Sequence, residues 1–276
     1  MAGLMNELFK SWKPVIGVVH LQPLPGAPRY QPPFVTVVER ALRDAKTYEE
    51  GGVNAIILEN FGDAPYHPDR VGPETVAAMT YVASRVKEAV NIPIGINVLR
   101  NDALSALAIA YVVGASFIRV NVLSGATITD QGIITSKAHH LLRYRRFLEA
   151  SGVKVFADIN VKHSVQLLQR PLELVAEELV QRELADAVIV TGETTGRAPG
   201  LEQVKAVKKV LPNTPVLVGS GVNEENVQEY LKLCDGVIVG TSLKTGGATE
   251  NPVDLAKVKA LIAKANPLTK LSTRRS

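Results

Sequence analysis

From residue 15 onward the chain alternates short apolar runs with longer amphipathic stretches. The apolar runs fall at 15–20, 53–60, 94–98, 116–121, 153–159, 187–191, 216–218 and 236–239. They are rich in Val and Ile and almost uninterrupted by polar residues, as strands buried on both faces of a parallel sheet must be. Between them, 34–50, 73–90, 102–113, 136–150, 172–184 and 201–211 carry helical periodicity. A further helix lies between the last two strands, and a final one covers 253–265. Pro73 suits a first helical turn, and Asn101 and Asn223 are expected N-caps. Eight strand–helix units in strict alternation predict an α/β protein of the (β/α)8 TIM-barrel class, closed rather than doubly wound. The expected division is a short N-terminal segment (1–13), one barrel domain (14–265) and a basic tail (266–276).

Loop lengths give the barrel a direction. The helix-to-strand connections are short, such as Gly51-Gly52 and Gly114-Ala115. The strand-to-helix connections 21–33, 61–72, 122–135, 160–171 and 192–200 are long and polar. Long loops gathered on one face mark the functional face. The segment 61–72, with a loop cluster of Asp63, His67 and Asp69 and two prolines, is read either as a lid over the mouth or as a solvated surface loop. Leu4, Met5, Leu8, Phe9 and Trp12 share one face of a short helix and are read as a plug under the barrel, with membrane contact as the alternative.

Polar residues stand out where they close apolar strands: His20, Glu59, Asn97, Arg119, Asn121, Asp158, Asn160 and Thr191, with Lys162 just beyond. Alternation places Arg119 with Asn121, and Asp158 with Asn160, on one face. Pointing inward, they form a charged basin. His20, Glu59, Arg119, Asp158, Asn160 and Lys162 are the candidate catalytic residues, with Asn97, Asn121 and Thr191 lining the basin. A carboxylate beside a lysine suits acid–base or imine chemistry, whereas the same charges can also be a structural ion-pair network. The last two strands end in the turns Gly219-Ser220-Gly221 and Gly240-Thr241-Ser242. Glycine turns with hydroxyls at the final two strands of a barrel are the expected place for a phosphate.

Composition narrows the function classes. The chain has 276 residues, 46% apolar and 21% charged, with net charge +4. Its basic residues are scattered, so no nucleic-acid footprint is read. The single cysteine, Cys234, precludes an intrachain disulfide and is read as a packed thiol. His20, Glu59, Asp158 and His163 show no metal-ligand spacing, His139 and His140 are adjacent on a helix, and neither a metal nor a cofactor is expected. No serine-nucleophile elbow is present. Without a signal peptide or a membrane-length apolar run, the chain is expected to be cytoplasmic, soluble or at most peripheral. Self-association is left open.

Several blocks together carry a resemblance. They are VVHLQPLPG at 18–26, LENFGD at 58–63, GINVLRN at 95–101, FIRVN at 117–121, FADINVKH at 156–163, Thr191-Gly192 and GSGV at 219–222. In this order the chain resembles the BtpA family from about residue 14 to 265. The resemblance implies a TIM barrel. For cyanobacterial members it implies a role in accumulating or stabilising photosystem I reaction-centre proteins, peripherally on the cytoplasmic face of the thylakoid membrane. The partners so implied are those proteins or their assembly machinery. The family also has members in organisms without photosynthesis, some grouped with sugar metabolism. That favours an underlying enzyme or ligand-binding activity, and the alternative function is a soluble isomerase, aldolase or hydrolase acting on a phosphorylated sugar or nucleoside-like metabolite.

Overall fold

A computed structural model describes residues 3–161, 164–168, 170–192 and 198–269. Eight parallel strands close into a barrel: β1 (Val15–His20), β2 (Ala55–Glu59), β3 (Ile94–Asn97), β4 (Phe117–Val120), β7 (Lys154–Asp158), β9 (Ala187–Val190), β10 (Val216–Val218) and β11 (Gly236–Val239). Around the ring the order is β1-β11-β10-β9-β7-β4-β3-β2, so β1 pairs with both its sequence neighbour and the last strand. The helices α2 (Val35–Gly51), α3 (Pro73–Ala89), α4 (Ala103–Val113), α5 (Ala138–Phe147), α6 (Leu172–Gln181), α7 (Leu201–Val210), α8 (Val227–Leu233) and α9 (Leu255–Thr269) form the outer layer. The eight expected units are present. α9 continues to Thr269, beyond the expected helix end at residue 265. Among the described residues no helix is long and apolar enough to cross a membrane.

Two apolar layers follow from the alternation of strand side chains. Outward residues such as Val19, Ile56, Ile96 and Val155 pack under the helices. Inward residues Ile16, Val18, Ile57, Phe117, Phe156, Ile189, Leu217 and Ile238 fill the interior. The helix α1 (Leu4–Phe9) closes the bottom, as the plug reading expects. Met5 and Phe9 are buried, and the Phe9 ring meets Phe117 and Phe156 edge-on at 5.5 and 6.2 Å. Trp12, expected on that face, is 42% exposed: the chain turns at Lys10, where φ is +52°. Space in the interior is shared between small and large residues. A Cβ on Gly95 would lie 2.4 Å from the Phe117 ring. Gly95→Ala is therefore expected to cost about 1–3 kcal/mol by overpacking, read as a lowered urea midpoint at unchanged m-value.

Three features depart from the expected elements. The segment 122–135, read as loop, contains the hairpin β5 (Ala126–Thr129) and β6 (Gly132–Thr135). It pairs with β8 (Ser164–Gln166) in a three-stranded antiparallel sheet near the barrel mouth. The cap of α4 is Asp102, whose Oδ1 accepts from Ser105 N at 3.0 Å. Asn101 instead holds Val122 through both its amide N–H and its carbonyl. Asn223 caps the turn that leads into α8, accepting from Glu225 N and Asn226 N, and the helix proper starts at Val227.

A buried ion-pair cluster ties the end of the barrel to its start. Asp44 on α2 accepts from Arg40 Nε at 3.2 Å, from Lys244 Nζ at 3.3 Å and from Val253 N at 2.9 Å. Lys244 is fully buried, with Nζ 5.7 Å from the centroid of the Tyr48 ring. Burial pulls its pKa down to about 8, against the opposing pull of Asp44. Cys234 is buried as expected and donates to Gly236 O, and burial pushes its thiol up to about 12.

Candidate active site

The alternation that fills the interior also builds the site. Two residues beyond the inward apolar positions, on the same side of each strand, stand His20, Glu59, Arg119, Asp158 and Thr191, with Gly219 and Gly240 just past the ends of β10 and β11. Asn97 takes the matching place on β3, in register with Glu59. The top inward layer is thus polar or glycine, whereas the layers below it are apolar.

A hydrogen-bonded chain runs across one half of this layer. Arg119 grips Asp158 with Nη2 at 3.1 Å from both carboxylate oxygens and with Nε at 3.2 and 3.3 Å. Asn121 Nδ2 donates to Asp158 Oδ2 at 2.8 Å. Asn97 Nδ2 donates to Asn121 Oδ1 at 3.1 Å and to Arg119 O at 3.0 Å. Arg119 and Asp158 are 5% and 3% exposed, a depth at which each charge depends on the other. Burial opposes the guanidinium charge, but Asp158 and then Glu59 outweigh it, holding Arg119 above the ordinary arginine pKa.

A cavity of about 320 Å³ opens above the layer. Its lining includes His20, Glu59, Arg119 and Asn121, and the turns Gly219–Asn223 and Gly240–Ser242. Gly221 has φ +67°, a conformation that favours glycine. A Cβ on Gly219 would lie 2.4 Å from Ile189 Cγ2, and one on Gly240 would lie 2.7 Å from His20 Cε1. The turn hydroxyls, expected as ligands, brace the turns. Ser242 Oγ donates to Val222 O at 2.7 Å, Thr241 Oγ1 shares a hydrogen bond with Thr249 Oγ1 at 2.9 Å, and Ser220 Oγ accepts from Gly192 N at 2.8 Å. Gly219 N and Asn223 N donate to Val190 O and Asn226 Oδ1, so an anion would meet the turn backbone between and beyond them.

In the ring of strands β3 stands opposite β10 and β4 opposite β11, so the wall facing the turns comes from other loops. It carries Glu59, Phe61, Tyr66, Arg100 and Asp130. His20 Nε2 lies 3.9 Å from Glu59 Oε1, and its ring meets Phe61 with centroids 4.9 Å apart. Arg100 is 8% exposed. Burial lowers its pKa, while Asp130, Glu59 and Asp158 pull the other way. Tyr66 is pushed upward, chiefly by burial and then by Glu59, and its hydroxyl donates to Phe61 O at 2.7 Å.

The segment 61–72 is a pinned wall rather than a free lid. Asp63 Oδ1 accepts from Leu24 N and Oδ2 from Asn60 Nδ2, Arg100 N donates to His67 O, and Val71 N donates to Asp102 Oδ2. Asp69 pairs with Lys137, while Asp63 stays close enough to His67 to feel its charge.

Of the sequence-derived site residues, His20, Glu59, Arg119, Asn121, Gly219, Ser220, Gly221, Gly240, Thr241 and Ser242 meet at the cavity. Asn97 and Thr191 are buried outside its lining. Thr191 Oγ1 donates to Asn160 O, and Asn160 Oδ1 accepts from Gln166 Nε2 at 3.1 Å, so Asn160 serves the loop. Asp158 faces a second cavity of about 190 Å³, under the three-stranded sheet, and acts on the first through Arg119 and Asn121. Lys162 and His163 lie outside the described residues. Tyr66, Arg100 and Asp130 come from irregular segments that alternation does not read. The only sequence signal for Arg100 was its place in the block 95–101. His139 and His140, expected to diverge, have ring centroids 4.0 Å apart on α5. Among the described residues no group of three or more His, Cys, Asp or Glu side chains is placed to hold a metal ion.

Comparison with known proteins sets the chain among relatives. The model of the BtpA family matches residues 11–267. An uncharacterised protein of Pyrococcus furiosus is 48% identical over 264 residues, covering 96% of this chain and 99% of that one. The photosystem I biogenesis protein BtpA of Synechocystis is 46% identical over 256 residues, covering 93% of this chain and 89% of its own. Among solved structures, N-(5'-phosphoribosyl)anthranilate isomerase from Pyrococcus furiosus superposes with a TM-score of 0.57 at 16% identity, over 92% of this chain and 99% of its own, a likeness of fold alone.

Proposed function

We propose that this chain, which belongs to the BtpA family, is a TIM-barrel enzyme acting on a phosphorylated small molecule held at the barrel mouth. The observation that carries the reading is the joining of two glycine turns, at the ends of β10 and β11, with acid–base groups in one cavity. The turns suit an anion, and their place after the last two strands is the usual phosphate position of such barrels. Beside them, the His20 imidazole and Glu59 carboxylate can move a proton at a bound substrate. Isomerisation, aldol cleavage and glycosidic hydrolysis all need such a step. An imine route would fall to Lys162. Asp158 is a positioning residue: it fixes Arg119 and Asn121, which touch the cavity.

The Pyrococcus furiosus relative supports this reading, because the chain is as similar to it as to the Synechocystis protein. An activity common to the three does not depend on a photosystem. A second reading rests on the name of the Synechocystis relative. The chain would then support accumulation of photosystem I reaction-centre proteins, in contact with them or their assembly machinery at the thylakoid surface. Exposed apolar side chains on the outer helices, Tyr111, Val112 and Phe147, give such a contact somewhere to form.

Thermal unfolding with inorganic phosphate and a panel of phosphorylated metabolites tests the first reading. Ligand at a hundredfold its Kd is expected to stabilise the fold by about 2.7 kcal/mol. Gly221→Ala, strained at φ +67°, is expected to weaken that binding by at least ~10-fold. No stabilisation by any of them at millimolar concentration would contradict the proposal.

A further inference from the structure

We infer that the non-phosphate end of the ligand is polyhydroxylated, so that the substrate class is a sugar phosphate, and that Asp130 on the β5–β6 turn reads its hydroxyls. The inference rests on the phosphate reading above and concerns the wall that faces the turns. That wall carries charges of both signs side by side, the carboxylates of Glu59 and Asp130 and the guanidinium of Arg100, around the rings of Phe61 and Tyr66, with Arg119 and Asn121 beneath.

Each simpler ligand chemistry conflicts with part of this wall. A second anionic group would lie against Glu59 and Asp130. A cationic group would lie against Arg100 and Arg119. An apolar chain would strip water from the Glu59 carboxylate, 8% exposed, and give no hydrogen bond in return. Hydroxyl groups both donate and accept, so a row of them satisfies carboxylates and guanidinium groups together. The C–H faces of a sugar also suit the aromatic pair, and about 320 Å³ is within the range of small-molecule sites.

Asp130 is the discriminating member. It sits in the two-residue turn between Thr129 and Gly132, where Gln131 Nε2 donates to it at 2.5 Å. It is exposed at the rim, so replacing it leaves the core intact. The hairpin carries it to the cavity from outside the barrel strands, which makes it a specificity element separate from the phosphate turns.

Calorimetry of the full chain with three probes tests this: inorganic phosphate, n-pentyl phosphate, and a panel of pentose and hexose phosphates. The best sugar phosphate is expected to bind at least ~10-fold more tightly than pentyl phosphate, the gain of a hydrogen bond to a charged group. Asp130→Ala should bring that ratio below about threefold while leaving the Kd of inorganic phosphate unchanged. Equal binding of pentyl and sugar phosphates by the wild-type chain, or an undiminished ratio in Asp130→Ala, overturns the inference and leaves the phosphate site standing. Failure of all three probes to bind overturns both.

Discussion

Arg119→Met should destabilise the barrel by about 3–5 kcal/mol, because it removes the guanidinium that grips the buried Asp158 carboxylate. The loss would appear as a lower urea midpoint. Asp158→Ala should cost a similar amount by stranding the guanidinium. The double variant Arg119→Met/Asp158→Leu removes both charges at once and should recover most of the stability, since a buried pair is readily replaced by apolar volume. It should nevertheless bind no ligand, since Arg119 lines the cavity and Asn121 loses its acceptor. A double variant as unstable as either single would show that the two charges are not each other's main support. A double variant that binds ligand normally would make the pair purely structural.

Asp44→Ala should be the other severe change, costing about 3–5 kcal/mol at neutral pH. Asp44 is the carboxylate beside fully buried Lys244, and it also holds Val253 N ahead of α9. The pH dependence has a definite sign. In the folded chain Lys244 titrates at about 8, against 10.5 for an ordinary lysine. Below pH 8 it is charged in both folded and unfolded states, and the full cost of burying the charge is carried. Between pH 8 and 10.5 the folded state has shed a proton that the unfolded state keeps, so this group makes stability rise with pH. A depression of that size corresponds to about 3 kcal/mol. In Lys244→Met the contribution should vanish, flattening the pH–stability curve of chemical denaturation over that window. A variant curve that keeps the wild-type rise would assign it to another group.

What the sequence made legible follows from what repeats. The eight apolar runs and the helices between them are set by periodicity, and the structure keeps them to within a few residues. Alternation also found the top layer, because an inward residue such as Arg119 or Glu59 interrupts an otherwise apolar strand and has no outward explanation. The hairpin β5–β6 reads as loop in the sequence because Ala126–Thr129 and Gly132–Thr135 are short and lie between glycines and polar residues. Their pairing with β8 is a contact between distant loops that no local pattern encodes. Tyr66, Arg100 and Asp130 were missed for the same reason. Asp158 and Asn160 looked alike at the end of one strand, yet one is clamped by Arg119 and the other turns to Gln166. Lys244 gave no signal: it follows a turn in which a lysine ordinarily faces water, and its partner Asp44 sits on a helix that reads as amphipathic.

The proposed function requires an anion between the two glycine turns. A crystal structure of the chain grown with inorganic phosphate, at a concentration that saturates its thermal stabilisation, tests this most directly. The expected result is tetrahedral density between Gly221 and Thr241, within hydrogen-bond distance of the backbone N–H groups of both turns. Density for phosphate elsewhere, with the space between the turns holding only water, would contradict it.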